Sequence, residues 1–226
     1  MEPSRERNTS RMLCDAHIHF IPEELSAHTS FYKGVWSDKE ALFRFLDRYD
    51  IEKALLVYPS TDAHINLGSR KKECEIYNNA LEDLRQEDER IIPSCIIDID
   101  SDIKSQIEAL YKRGFRVISL ASSYDGRFRP DVAKLVAEKV REYGLIVFIH
   151  PQTINPIGYE RLKDPLIMPV LEYSFDISAC LGLFMMEGIL EEDVKFLFSS
   201  LAGVIPFLKN RFDRVYNMLK AYTRAI

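Results

Sequence analysis

Short apolar, β-branched runs alternate with stretches of helical periodicity along nearly the whole chain, and this alternation restricts the fold more than any other feature. Strand-like runs fall at 12–20, 53–59, 91–99, 115–121, 145–150 and 194–200. Several are apolar at nearly every position, the pattern of parallel strands buried on both faces. Helices fit between them. Ser37 followed by Glu40 reads as a capping box ahead of Leu42, Phe43 and Leu46. A second helix covers 74–84, and a third carries Ile103, Ile107 and Leu110, with Asp100 or Ser101 as its cap and Gly114 as its stop. A fourth presents Val132, Leu135, Val136 and Val140 and stops at Gly144. The segment 166–190 is largely helical, and a last helix covers 205–219 with Pro206 in its first turn. Repeated βα units join by right-handed crossovers into a parallel sheet. The expected architecture is therefore a TIM-barrel-like (β/α) fold of about six units, incomplete beside the eight units and ~250 residues of a full barrel.

Composition narrows the function classes. A chain of 226 residues forms one domain, expected over 11–226 after a disordered segment at 1–10. Its apolar fraction of 46% and charged fraction of 29% are those of an ordinary soluble globular protein. A net charge of -5 with no basic face argues against a nucleic-acid partner. The opening MEPSRERNTSR lacks the apolar core of a secretory signal. The longest apolar stretch, 177–190, is broken by Glu187 and too short to span a bilayer. A cytoplasmic protein without a membrane partner is expected. Neither GxGxxG nor GxxxxGK[ST] occurs, so nucleotide-binding readings lose their main support. Cys14, Cys74, Cys95 and Cys180 are scattered, with no CxxC pair. All four read as reduced and structural, Cys14 and Cys95 as small buried hydrophobes.

The chemistry concentrates in Asp15-Ala16-His17-Ile18-His19-Phe20. Strand residues two apart share a face, so Asp15, His17 and His19 point the same way. Two imidazoles at that spacing can reach one borderline cation such as zinc (Zn), iron or nickel, and Asp15 can orient a ligating ring. Two unrelated histidines in a strand and turn are the other reading of so short a motif. His150 ends the apolar run Val147-Phe148-Ile149 and is followed by Pro151. In a parallel barrel, function collects at the C-terminal ends of strands. His150 would then face the same mouth and complete three protein ligands, with water as the fourth.

DAHIHF near the start, IHP in the middle and LEYSFDISACLGLFMMEGILEEDVKFLFSSLAGVIPFLKNRFDR near the end, taken together, resemble the aminocarboxymuconate-semialdehyde decarboxylase-like branch of the amidohydrolase superfamily. The resemblance runs over 13–214, and its last stretch is its most specific part. It implies a metal-dependent (β/α) barrel that acts as a hydrolase, decarboxylase or hydratase on small carboxylate-bearing substrates. It implies His17, His19 and His150 as ligands of a divalent metal, zinc first, and Arg211 as the partner of a substrate carboxylate. The chain also departs from the family pattern. Ser200 stands where the family has a catalytic histidine, and a hydroxyl is no general base near neutral pH without a partner. Ser119 replaces a polar group, usually lysine, in the fourth strand, and the family's metal-associated aspartate of an eighth strand has no counterpart.

Other residues carry weaker signals. His64, after the second strand, reads first as an exposed loop histidine. With Asp15 and Asp98, it is nonetheless a candidate for moving the proton. Phe31, Tyr32 and Trp36 form an aromatic cluster that can cover the mouth. The first functional expectation is a metal-dependent hydrolase or carboxy-lyase acting on a small-molecule substrate through metal-activated water. The second is a catalytically silent relative that binds metal or a small acid in a regulatory or structural role. A phosphoesterase or nuclease is a third, disfavoured by the few further ligands and the acidic charge. Open sheet edges leave room for a homodimer under either of the first two.

Overall fold

Six strands form inside the expected runs: β1 Cys14–Ile18, β2 Lys53–Leu56, β3 Ile91–Cys95, β4 Val117–Ala121, β5 Ile146–His150 and β6 Lys195–Phe198. In the computed structural model, which describes residues 12–154 and 167–223, they form one sheet in sequence order, every neighbouring pair parallel. The expected disorder at 1–10 falls outside the described residues. The strands are shorter than the apolar runs because burial outlasts the hydrogen-bonded ladder. Ile96, Ile97 and Ile99 follow β3 and are still buried, beneath the loops.

The connections are helical: α1 Glu23–Ser26, α2 Lys39–Arg48, α3 Ala63–Leu67, α4 Arg70–Glu87, α5 Ile103–Lys112, α6 Pro130–Tyr143, α7 Met168–Met186 and α8 Ile205–Thr223. Two expected caps move. Asp38, not Ser37, caps α2 and accepts the Ala41 N–H at 2.9 Å, while the Ser37 hydroxyl turns to the Gly34 carbonyl and to Ser26. Asp102 caps α5. Asp100 and Ser101 are drawn instead to the Asp98 carboxylate, which accepts the Asp100 N–H at 3.1 Å and the Ser101 hydroxyl at 2.6 Å. In both cases a nearby acceptor competes successfully for the cap residue.

The sheet has two apolar faces, as parallel strands require. Outward residues such as Ala54, Leu56, Ile118, Val147 and Ile149 pack under the helices with Leu81, Ile107, Val136 and Ile177. Inward residues Leu55, Val57, Val117 and Phe148 form a separate smaller cluster flanked by Ile92 and Ile146. The sheet is curled, so the molecule is an incomplete (β/α) barrel with β1 and β6 as its edges. Cys14, on edge strand β1, is exposed rather than buried, whereas Cys74, Cys95 and Cys180 are buried, and all four are free thiols. Among the described residues, no helix is long and apolar enough to cross a membrane.

Candidate metal centre

The inward face of β1 carries Asp15 and His17, with His19 just beyond the strand end. The pairing of β1 with β2 slips by one residue between Asp15 and Ile18. Such irregularities free a backbone group and re-aim side chains. The Asp15 carboxylate takes up the freed group, accepting the His17 N–H at 3.0 Å. Asp15 therefore holds the backbone of His17, where the sequence suggested that it orients a ring.

His150 ends β5 on the same inward face, two residues after Phe148, and the His17 ring packs against Phe148 at 5.3 Å between centroids. Strands β1 and β5 are four places apart. In a flat sheet of ~4.8 Å spacing they would lie roughly 19 Å from one another. The curl brings the His150 ring to 5.2 Å from His17 and 4.9 Å from His19. One ligand nitrogen from each of the three histidines lies within 4.8 Å of the others.

Backbone carbonyls fix two of the rings. Val57 O accepts from His19 Nδ1 at 2.9 Å and Pro151 O accepts from His150 Nδ1 at 2.8 Å. A carbonyl only accepts, so both Nδ1 atoms carry hydrogen and both Nε2 atoms keep a free lone pair. Burial pushes the pKa of all three imidazoles down. For His19, held at about 4, the neighbouring His17 adds to the burial effect and the bond to Val57 opposes it. His150, fully enclosed, lies well below the usual histidine range, with His19 and His17 reinforcing the effect. His17 is lowered by burial and partly restored by Asp15. Three clustered neutral imidazoles, two with their Nε2 lone pairs fixed, are the donor set a divalent ion of borderline softness needs. His17 Nε2 and His19 Nε2 stand 3.2 Å apart. Two nitrogens ~2.05 Å from one tetrahedral ion would be separated by about 3.3 Å, so the residues fit such an ion.

The aromatic cluster gathers over this site, with Trp36 6.1 Å and Tyr32 6.5 Å from the His19 ring. Other expected residues fall differently. Arg211 lies on α8 with its side chain exposed, whereas the aromatic neighbours of the histidine rings among the described residues are Tyr32, Trp36 and Phe148. Asp98 is engaged by Asp100 and Ser101, which makes it a poor base. His64 is mostly enclosed rather than a free loop residue, its Nδ1 lying 3.6 Å from the buried Glu73 carboxylate. Ser119 lies on the inward face of β4 and shares a hydrogen bond of 2.9 Å with Ser94. Ser200 is exposed, at φ 51°. The buried hydroxyl at this strand end is Ser199, whose N–H donates to Ile149 O at 3.1 Å and whose Oγ has no hydrogen-bond partner among the described residues. The alternation Lys195, Leu197, Ser199 was the signal that could have singled out Ser199 over Ser200.

Sequence reasoning also missed Asp176. This buried α7 carboxylate accepts the Ser122 hydroxyl, the Ser123 hydroxyl at 3.3 Å and the Gln152 N–H at 3.0 Å. Ser122 N–H in turn donates to His150 O at 2.7 Å. Asp176 thus clamps the ends of β4 and β5 and steadies the backbone on which His150 sits. A lone aspartate in an apolar helix is the signal, but its partners lie on distant loops.

No protein-family model matches the chain, and no curated protein matches it in sequence. Solved structures match it in shape. The Metarhizium anisopliae IDCase has a TM-score of 0.73 at 13% identity, with 91% of this chain and 69% of that one covered. An amidohydrolase II structure has a TM-score of 0.73 at 16% identity, covering 93% and 73%. The 4-oxalomesaconate hydratase of Rhodopseudomonas palustris has a TM-score of 0.65 at 16% identity, covering 92% and 69%. The likeness is one of fold: the described residues build six parallel strands of a (β/α) barrel with three histidines gathered at its strand ends.

Proposed function

We propose that the protein is a metal-dependent enzyme of the amidohydrolase type that hydrolyses or decarboxylates a small carboxylate- or amide-bearing substrate. His17, His19 and His150 would hold the ion, with zinc the first candidate. One observation carries the reading: three neutral imidazoles from β1 and β5 converge within 4.8 Å at the strand ends. The names of the fold neighbours, among them an amidohydrolase and a hydratase, support the general type. A divalent ion held there supplies Lewis acidity toward a carbonyl or a water. The chain's own residues do the rest. The Val57 and Pro151 carbonyls keep the lone pairs of His19 and His150 directed inward. Tyr32 and Trp36 shield one side of the site from water. Arg211, carried over from the resemblance, is assigned to a substrate carboxylate. The four free thiols suit a reducing, cytoplasmic setting.

A second reading, a catalytically silent metal- or ligand-binding relative, draws on the end of β6, where Ser199 and Ser200 offer hydroxyls and no titrating base. Zinc content and zinc titration calorimetry on chelator-treated protein test the metal claim. Wild type is expected to bind one ion, and His17→Ala and His150→Ala to lose it. Absence of stoichiometric zinc in wild type, with both variants unchanged, would sink the metal site. Turnover in a screen of small carboxylates, in wild type or after Ser200→His, separates the enzyme from the silent relative.

A further inference from the structure

A polar cavity opens near the histidine cluster, between the loops that follow β2 to β5 and the start of α4. Its lining includes Tyr58, His64, Arg70, Ser119, Tyr124 and Gln152, and its volume is about 30 Å³. That is room for water or for one carboxylate group, not for a whole organic acid. Arg70 dominates its chemistry. The side chain is 16% exposed, and its buried Nε makes no hydrogen bond among the described residues. It stacks 5.6 Å from the Tyr124 ring centre and stands 3.7 Å from Asp100, whose side chain is 66% exposed and therefore a weak partner. A buried N–H left without an acceptor is costly, on the order of 1–3 kcal/mol.

The position itself is unfavourable without a partner. Arg70 is the first residue of the 18-residue helix α4, where the helix dipole already places positive potential. Glu73, whose buried carboxylate lines the same cavity, is already engaged elsewhere. Glu73 Oε1 is taken by the Tyr58 hydroxyl at 2.6 Å and the His64 N–H at 3.2 Å. His64 Nδ1 is a second buried nitrogen with no hydrogen bond, and it lines the same cavity. Two buried nitrogens without a hydrogen bond among the described residues, one permanently charged and each 3.6–3.7 Å from its nearest carboxylate partner, line one small space.

We infer that this cavity is a small-anion site in which Arg70 takes a carboxylate end-on as a bidentate pair. The site adjoins the histidine cluster on two sides. Ala121 in its wall is the strand neighbour of His150, and Tyr58 follows Val57, whose carbonyl holds His19. A small acid anchored at Arg70 would extend toward the inward face. Assigning the carboxylate to a substrate rests on the function proposed above, but anion binding does not require the metal.

The test uses chelator-treated full-length protein and sodium formate, with sodium chloride at equal ionic strength as the control and inorganic phosphate as a bulkier oxyanion. Formate is expected to raise the melting temperature saturably where chloride and phosphate do not. Arg70→Met is expected to weaken formate binding about tenfold or more, the range for a lost charge-assisted pair. Arg44→Met, on the exposed face of α2, is expected to leave formate binding unchanged. In wild type, formate is further expected to protect Arg70, read by peptide mass spectrometry, from the arginine reagent phenylglyoxal, while exposed Arg44 reacts regardless. That measurement needs no variant to fold. Equal effects of formate and chloride, or formate binding with Arg70 unprotected, overturn the site. Zinc binding is read separately, so failure here and failure of the metal centre are distinguishable.

Discussion

His19 shows how one ring can link stability to function. Its folded-state pKa is about 4, against about 6.5 when exposed, because burial disfavours the charged form. Between those values the unfolded chain binds the proton and the folded chain does not, so folding releases protons and stability rises with pH. His17 and His150 shift in the same direction. The metal-free protein is therefore expected to keep full stability above about pH 6.5 and to lose it as the pH falls toward 4. Each unit of depression is worth about 1.4 kcal/mol, so the loss should reach a few kcal/mol. Urea midpoints at pH 7 and pH 5 measure it, and equal midpoints would contradict rings held neutral by the fold. Asp15 acts by a different route, through the His17 N–H. Asp15→Ala should weaken zinc binding about 10–100-fold, as losses of supporting partners do, and Asp15→Asn, which keeps the acceptor, should restore most of it. Calorimetry on both variants decides between this positioning role and a mere surface charge.

At the scale of elements, the turn after β6 is the most demanding piece of backbone. Ser200, Leu201 and Ala202 all have φ between 51° and 57°, a left-handed conformation that side chains disfavour. Contacts with α7 hold it there: Ser178 Oγ donates to Ala202 O at 3.1 Å and accepts the Val204 N–H at 2.9 Å. Gly203 makes the close approach possible, since a Cβ there would lie 1.9 Å from Ser174 O. Gly203→Ala should cost about 3 kcal/mol or more and lower the melting temperature by roughly 6–12 °C for a chain of this size. A thermal melt within 2 °C of wild type, about half a kcal/mol, would show that α7 and this turn are not packed as described. The expected helices were recognisable because their periodic apolar faces are local properties. The exact caps were not, because Asp98 and the turn before α2 compete for the expected cap residues through contacts that sequence spacing does not reveal.

At the scale of the whole molecule, the sheet ends at β1 and β6 with no strand beyond either among the described residues. Leu197 on β6 is 40% exposed. Unpaired edges of this kind template association, and one charge on such an edge opposes it. Sedimentation velocity is expected to show a dimer that Leu197→Lys shifts toward monomer, and a purely monomeric wild type would remove the homodimer from the proposal. Six βα units and the shared face of His17 and His19 could be read from the sequence alone, because strand parity and apolar burial are set by neighbours along the chain. The meeting of β1 with β5 could not, since four strand spacings separate them until the sheet curls. The same holds for the Val57 and Pro151 carbonyls that set the ring tautomers, and for the cavity around Arg70. These depend on which loops the curled sheet brings together, and that is decided by packing across the barrel rather than by spacing along the chain.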